Sequence, residues 1–239
     1  MSLPRVIVPG GPLAPGHVVM PDPATAHHLR VLRLRRGDSV VVVDSTGAEH
    51  LATVESERTL RVGEPRPASP PGPPIRLVLA LLKSDHTELA VRMATEAGVA
   101  EVRVAVCERS VPRPGAAEAG RRTTRLARVA SEAAVQCGRG LPPAVSFHPD
   151  LATAVADLAE GQRYRLDEGG APSLASLLAG TAGGAALAIG PEGSFSPGEV
   201  RILDAAGFRA AGPGPRVLRA ETAAIAAVVV AQAVAGDTR

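Results

Sequence analysis

Two hydrophobic patterns follow one another along the chain. In the N-terminal part, short β-rich segments at 5–8, 16–20, 39–44 and 49–54 are separated by the turn sequences Pro-Gly-Gly-Pro at 9–12, Arg-Gly-Asp at 36–38 and Ser-Thr-Gly at 45–47. A helical stretch is expected at 24–34. So many short strands in so little chain predict a small barrel with a turn of helix, a shape that presents a nucleic-acid-binding face in many proteins. From residue 75 onward apolar strands alternate with amphipathic helices. Strands are expected at 75–82, 101–107, 144–147, 163–167 and 186–190, and helical stretches at 85–97, 116–137, 151–159 and 173–178. Two more helices start at Pro197 and Glu221. Continuous apolar strands between helices imply a parallel sheet covered on both faces, with ligands bound beyond the carboxyl ends of its strands.

The segment between the two patterns, 64–74, reads Glu-Pro-Arg-Pro-Ala-Ser-Pro-Pro-Gly-Pro-Pro and cannot continue a helix or a central strand. It marks a boundary, giving an N-terminal domain 1–66, a proline-rich linker 67–74 and a C-terminal domain 75–239. Two helix starts carry capping signals: Asp85 with Glu88, and Ser196 with Glu199 and Pro197 between them.

Composition narrows the class. With 45% hydrophobic residues and a mean hydropathy of +0.12, the chain is neither disordered nor a membrane protein. Its longest apolar run, 223–235, is interrupted by Gln232 and falls short of the ~20 residues that span a bilayer. No charged segment followed by an apolar run opens the sequence, so a cytoplasmic protein is expected. Cys107 and Cys137 form no Cys-x-x-Cys pair and have no histidine at ligand spacing, so two buried free thiols and no metal are expected. The net charge of +2 says little about partners, but its distribution says more. Lys83 is the only lysine, and arginines cluster at Arg30, Arg33, Arg35 and Arg36 and again at Arg121, Arg122, Arg125 and Arg128. Guanidinium forks match phosphate oxygens, although arginine-rich helix faces are also commonly just solvated.

The first strand of the alternating part ends in Leu-Lys-Ser-Asp at 82–85, without the glycine pattern of a dinucleotide fold. Glycine comes late instead. The strand at 186–190 runs into Gly190, Pro191, Glu192 and Gly193 and then a capped helix, a rigid loop with amides open to a ligand. A tight strand-to-helix turn without a ligand is the more common case. A second late segment, 214–224, places Arg219, Glu221 and Thr222 at the mouth of the last apolar helix, where Glu221 also suits the helix dipole. In a third, Glu132 and Gln136 share a helix face and Arg139 follows Gly138, which should end that helix.

Together these segments resemble the 16S ribosomal RNA uridine N3-methyltransferases of the knotted SPOUT class. The likeness runs in order along nearly the whole chain: His27-His28-Leu29-Arg30-Val31-Leu32-Arg33 with Gly37-Asp38, Lys83, Ala94 to Val99, Glu108-Arg109-Ser110, Gln136 to Arg139, Gly190 to Gly193, and Arg216 to Thr222. The chain departs from the family pattern at Ser194, where a second glycine is usual, at Ala97 for Leu, and at Val135, where an acidic residue is common.

The resemblance implies an α/β fold: a trefoil-knotted methyltransferase domain after a PUA-like RNA-binding β-barrel, acting as a homodimer. It implies that S-adenosyl-L-methionine is held by Leu166, Glu168, Ile189, Gly190, Pro191, Glu192, Gly193, Val217, Leu218, Arg219, Glu221 and Thr222. RNA contacts fall to His27, Arg30, Arg33, Arg35, Arg36, Lys83 and Gln136, with 16S ribosomal RNA or the small ribosomal subunit as partner. For the chemistry it points to Arg139 first and Arg109 second as stabilisers of negative charge on the uracil oxygens, and to Glu132 as proton acceptor. Two alternatives stay open: a related enzyme acting on a ribose hydroxyl or on transfer RNA, and a non-catalytic RNA-binding assembly factor.

Overall fold

The computed structural model describes residues 3–8, 10–21, 26, 29–56, 58–66, 72–180 and 183–235. The chain divides into two compact units, Met1–Pro70 with Ala134–Pro142, and Pro71–Ala133 with Pro143–Arg239.

The first unit contains β1 (Arg5–Ile7), β2 (Val18–Val19), β3 (Ser39–Val43), β4 (Glu49–Ser56) and β5 (Thr59–Arg66), in the sheet order β1-β3-β4-β5-β2. Val6 of β1 and Val19 of β2, from opposite edges of the sheet, join one core with Val40, Val42, Ala52, Val54, Leu60 and Val62. The sheet therefore curls around a single interior, as a barrel open between β1 and β2 would. Alternation sets the faces of β4, where Ala52 and Val54 point inward and Leu51 and Thr53 outward.

Strand β5 is absent from the sequence reading, and it takes in Glu64, Pro65 and Arg66 of the proline-rich segment. Pro65 is tolerated because β2 pairs with β5 only at Leu60 and Arg61, so β5 has one neighbour where the proline lies. Residues 67–71 of the expected linker lie outside the described residues, as do 24, 25, 27 and 28 of the expected helix. The described part of that helix ends at Val31, short of residue 34, because Arg33 takes a φ of +55° that no helix continues through.

The second unit contains β6 (Ile75–Ala80), α1 (His86–Glu96), β7 (Glu101–Ala105), α2 (Ala116–Cys137), β8 (Ala144–His148), α3 (Leu151–Val155), β9 (Gln162–Leu166), α4 (Leu174–Leu178), β10 (Ala185–Ile189), α5 (Pro197–Ala205), β11 (Arg209–Ala211) and α6 (Ala220–Ala235). The last turn of α2, from residue 134, groups with the first unit. The six strands pair in the order β11-β9-β10-β6-β7-β8, all parallel.

Alternate residues of β6 serve the two faces. Ile75, Leu77 and Leu79 meet Ala90, Val91 and Ala94 of α1 and Ala224, Ala227 and Val228 of α6. Val78 and Ala80 share the other core with Ala186, Ala188, Leu151, Ala154 and Leu203. Helices thus cover both faces, as continuous apolar strands require. Gln232, which interrupts the apolar run of α6, is buried because its Nε2 donates to the Gly98 carbonyl at 2.8 Å, just past the end of α1.

The short strand β11 has no hydrophobic run to announce it and exists through its pairing with β9, Arg209 opposite Tyr164. Helix α3 is also shorter than expected, ending at Val155. Of the two capping signals, Ser196 and Glu199 form a reciprocal capping box with Pro197 in the first turn. Asp85 occupies the N-cap of α1 but makes no side-chain cap bond, and Glu88 instead pairs with Arg125 on α2 at 2.7 Å. One thiol departs from expectation: Cys107 is buried, whereas Cys137, on the last turn of α2, is exposed.

Candidate functional site

A cavity of about 680 Å³ opens beyond the carboxyl ends of three neighbouring strands, β6, β10 and β9. Three stretches of chain meet there: 165–168 leaving β9, 189–195 leaving β10, and 217–223 entering α6. Lys83 and His86, between β6 and α1, close a fourth side.

Hydrogen bonds hold the 189–195 loop in shape. Ser194 N–H donates to the Pro191 carbonyl at 2.8 Å, and Lys83 N–H donates to Glu192 Oε1 at 3.3 Å. Gly190 is fixed by space, since a Cβ there would lie 3.1 Å from the Phe195 nitrogen and 3.3 Å from its ring. Ser194, which departs from the family pattern, adopts a φ of +59°. The left-handed conformation that suits a glycine is therefore kept by a residue with a Cβ, at some cost in backbone strain.

A second segment braces the loop from outside. Arg109 Nη1 donates to the Gly193 carbonyl at 2.8 Å, and Glu108 N–H donates to Glu199 Oε1 at 2.7 Å. Arg113 Nη1 donates to the Cys107 carbonyl at 2.7 Å and closes the turn that carries these residues. Burial, reinforced by the nearby Glu199 carboxylate, pushes the Cys107 thiol far up, so it is an inert packing group.

Of the residues assigned to the cofactor, Leu166, Glu168, Ile189, Gly190, Pro191, Glu192, Val217, Leu218, Arg219 and Glu221 all line the cavity. Gly193 and Thr222 do not; Gly193 faces Arg109, and Thr222 is exposed on α6. Lys83, assigned to RNA, lines this cavity too. Missed in the sequence were His86 and Arg165, while Asp167 lies within the strand-end stretch from Leu166 to Glu168 that was assigned. Arg165 reaches Asp204 at 3.1 Å and Asp167 at 3.9 Å. Position at a strand end was the available signal for Arg165, and the first turn of α1 for His86.

The residues assigned to chemistry are not gathered at this cavity. Arg109 is engaged with Gly193. Glu132 sits in an exposed pair with Arg128 at 2.6 Å, one helical turn away on α2. Arg139 is half-buried and Gln136 exposed in the stretch that groups with the first unit. His27 lies outside the described residues.

The two arginine clusters, alike in sequence, differ in the structure. Arg30, Arg33, Arg35 and Arg36 are exposed and have no ion-pair partner among the described residues. In the second cluster Arg122 pairs with Glu118, Arg125 with Glu88 and Arg128 with Glu132. A second cavity of about 500 Å³ between α1 and α2 is bounded by Arg121, Arg122 and Arg125 together with Glu88, Glu118 and Asp85, so its charges balance.

Among the described residues no helix is long and apolar enough to cross a membrane, and no His, Cys, Asp and Glu group is suited to hold a metal ion.

Comparison with known proteins agrees with this architecture. Residues 70–232 match the RNA methyltransferase domain family, and residues 21–62 match the RNA methyltransferase PUA domain. The ribosomal RNA small subunit methyltransferase E of Mycobacterium bovis is 34% identical over 215 residues, covering 84% of this chain and 80% of the relative. A Legionella pneumophila protein described as a methyltransferase, solved with the bound cofactor SAM, superposes with a TM-score of 0.87 at 27% identity, covering 98% of each chain. The fold is also that of the Neisseria gonorrhoeae ribosomal RNA small subunit methyltransferase E, with a TM-score of 0.88 at 24% identity over 97% of this chain and 98% of that one. With a curved N-terminal sheet of the PUA type before a parallel α/β domain, the chain belongs to the RNA methyltransferase family that includes the ribosomal RNA small subunit methyltransferases E.

Proposed function

We propose that the protein methylates N3 of a uridine in 16S ribosomal RNA and that the 680 Å³ cavity holds S-adenosyl-L-methionine. One observation carries this reading: segments 165–168, 189–195 and 217–223, separate in sequence, converge on one cavity at the ends of adjacent parallel strands. That is where open α/β sheets place ligands. The cofactor of the Legionella relative and the ribosomal RNA named in the Mycobacterium relative support the assignment.

The cavity suits such a ligand. Leu166, Ile189, Val217 and Leu218 offer apolar walls, Gly190 leaves room for close approach of a ligand to backbone, and charged groups of both signs stand around them. When bound, S-adenosylmethionine supplies a methyl group on a sulfonium, already a good leaving group. The chain's own contribution is alignment and charge. The hydrogen-bonded 189–195 loop, tethered by Arg109, presents a fixed surface and limits reorganisation, an effect worth up to ~7–11 kcal/mol in favourable cases. Arg139 is assigned to the negative charge that develops on the uracil oxygens. Arg109 acts first through the loop it holds. Glu132 would have to leave its pair with Arg128 to accept the N3 proton.

The N-terminal domain, residues 1–66, serves the RNA. Its exposed Arg30, Arg33, Arg35 and Arg36 contact phosphates, which fixes position without selecting sequence. The target base has to be unpaired, because N3 lies on its pairing edge. The reading further includes a knotted C-terminal chain in residues 75–239, a homodimer, the small ribosomal subunit as partner, and a cytoplasmic location.

Calorimetric titration with S-adenosylmethionine, alongside a Gly190→Trp variant, tests the cavity. Saturable binding is expected in the wild type, with affinity weakened at least about 100-fold by the indole. Reverse-transcription stops on 16S ribosomal RNA treated with enzyme and cofactor then report N3 methylation, since a methyl on that edge blocks pairing. A wild-type protein that binds no cofactor even with RNA present would leave a non-catalytic RNA-binding protein in place of the enzyme.

A further inference from the structure

His86 lines the cavity without a role in the reading above. It is the first residue of α1, and Glu221 is the second residue of α6. Glu221 is 7% exposed. His86 Nδ1 and Glu221 Oε2 lie 3.5 Å apart, both atoms are buried, and neither has a hydrogen-bond partner among the described residues. A buried carboxylate with an unsatisfied oxygen is costly unless something positive completes it.

The surrounding charges show what the completing group can be. Facing the cavity are Lys83 between β6 and α1, Arg165, Asp167 and Glu168 at the end of β9, Glu192 on the loop after β10, and Arg219 and Glu221 at the start of α6. Three cations therefore stand against four carboxylates. Arg165 is also held by Asp204 from outside the lining at 3.1 Å, so the cavity is net negative with His86 neutral, and protonation of His86 lowers that excess by one charge. Among these side-chain types only imidazole ordinarily changes charge between about pH 5 and 8. Asp85 and Glu88, on the same segment as His86, line the other cavity, where Glu88 is neutralised by Arg125.

We infer that the His86–Glu221 pair is the charge-sensing element of this cavity: it selects the sulfonium-bearing cofactor over the uncharged thioether product, and protonation of His86 cancels that selection. The inference rests on the cavity being the S-adenosylmethionine site. Glu221 provides the selecting charge, and His86 is a positioning residue that acts through it. Cation binding and imidazole protonation then compete for the same carboxylate, which links ligand choice to pH.

The test is calorimetry with S-adenosylmethionine and with S-adenosylhomocysteine, at about pH 8 and about pH 6, on the wild type, Glu221→Gln and His86→Gln. The readout is the affinity ratio of the two ligands. Both ligands carry the same amino and carboxyl groups, so their own titration largely cancels. In the wild type the ratio should favour the sulfonium and drop about fivefold to tenfold on acidification, a change of roughly 1–1.4 kcal/mol. In His86→Gln it should stay high at both pH values, and in Glu221→Gln it should be low at both. If the substituted proteins bind both ligands with the wild-type ratio and the wild-type pH profile, the pair does not sense charge. If neither ligand binds the wild type, the cofactor assignment itself fails, a separate result. Thermal unfolding checks that each variant folds, and should Glu221→Gln not fold, the pH profile of His86→Gln decides.

Discussion

Asp44 in the first unit and Glu221 in the second are both buried carboxylates, and the fold treats them in opposite ways. Asp44, 1% exposed, accepts hydrogen bonds from Leu13 N–H at 3.0 Å, Thr46 N–H at 2.8 Å, Thr46 Oγ1 at 2.6 Å and Ala48 N–H at 3.1 Å. Glu221 has an oxygen with no hydrogen bond among the described residues and a histidine 3.5 Å away. The first carboxylate ties the 13–14 loop to the turn between β3 and β4; the second leaves its charge open to a cavity. Burial alone does not separate structure from function here. The count of donors does. Glu199, 6% exposed in the second unit, falls on the structural side, because Ser196 N–H and Glu108 N–H donate to it at 2.8 and 2.7 Å.

The contrast predicts a graded series of stability losses, with Asp44 the largest. Asp44→Ala strands donors that have no other partner among the described residues, and unfolding in denaturant should show a loss of about 3 kcal/mol, as for hydrogen bonds to charged groups. The pH dependence has a definite sign. Burial alone would raise the Asp44 carboxyl, but the hydrogen bonds from the Thr46 side chain and from the Leu13, Thr46 and Ala48 backbone outweigh it and hold the carboxyl below its ordinary value. A depressed folded-state value means the contribution is present above the unfolded-state value, about pH 4, and is lost as the pH falls through the folded one. The acid limb of the stability curve should therefore be shallower in Asp44→Asn than in the wild type. Identical acid limbs would remove Asp44 from the structural class.

Glu199→Ala comes next, at about 2 kcal/mol, because it removes the capping box of α5 and the bond to Glu108 together. This carboxylate also joins the 107–113 segment to the helix that follows the 189–195 loop, so cofactor affinity should weaken several-fold by titration. A stability loss with unchanged affinity would show that the loop keeps its shape without this brace.

The sequence made some of this legible and hid the rest for physical reasons. The alternation of 75–82, 101–107 and 186–190 with helices announced a parallel sheet, because continuous apolar strands have few other places to go. Gly190 to Gly193 and Arg219 to Glu221 stood out as backbone-rich segments at element ends, and the cavity is built where they meet. Strands β5 and β11 were hidden, the first by Pro65 and the second by lacking any apolar run; both depend on partners distant in the chain. His86 was hidden for a related reason, since its meaning lies in a contact with a residue 135 positions later. Pairing of Arg122, Arg125 and Arg128 with carboxylates likewise separates two arginine clusters that read alike in sequence.

The smallest stability effect belongs to Glu221, and it is the sharpest test of the comparison. Glu221→Gln removes a buried charge with an unsatisfied oxygen and leaves a side chain of nearly the same shape. Unfolding without ligand should change by less than about 1 kcal/mol, in either direction, because replacing a poorly compensated buried charge is commonly neutral or stabilising. Adding S-adenosylmethionine should then separate the two proteins. A ligand stabilises the folded state in proportion to the logarithm of its concentration over its dissociation constant, so a tenfold weaker affinity removes about 1.4 kcal/mol of that stabilisation at saturating ligand. Asp44→Asn should behave in reverse, losing stability without ligand and keeping the full ligand-induced gain. If Glu221→Gln unfolds as easily as the Asp44 variants and gains as much from ligand as the wild type, its open oxygen is a feature of folding rather than of binding, and the distinction between the two carboxylates collapses.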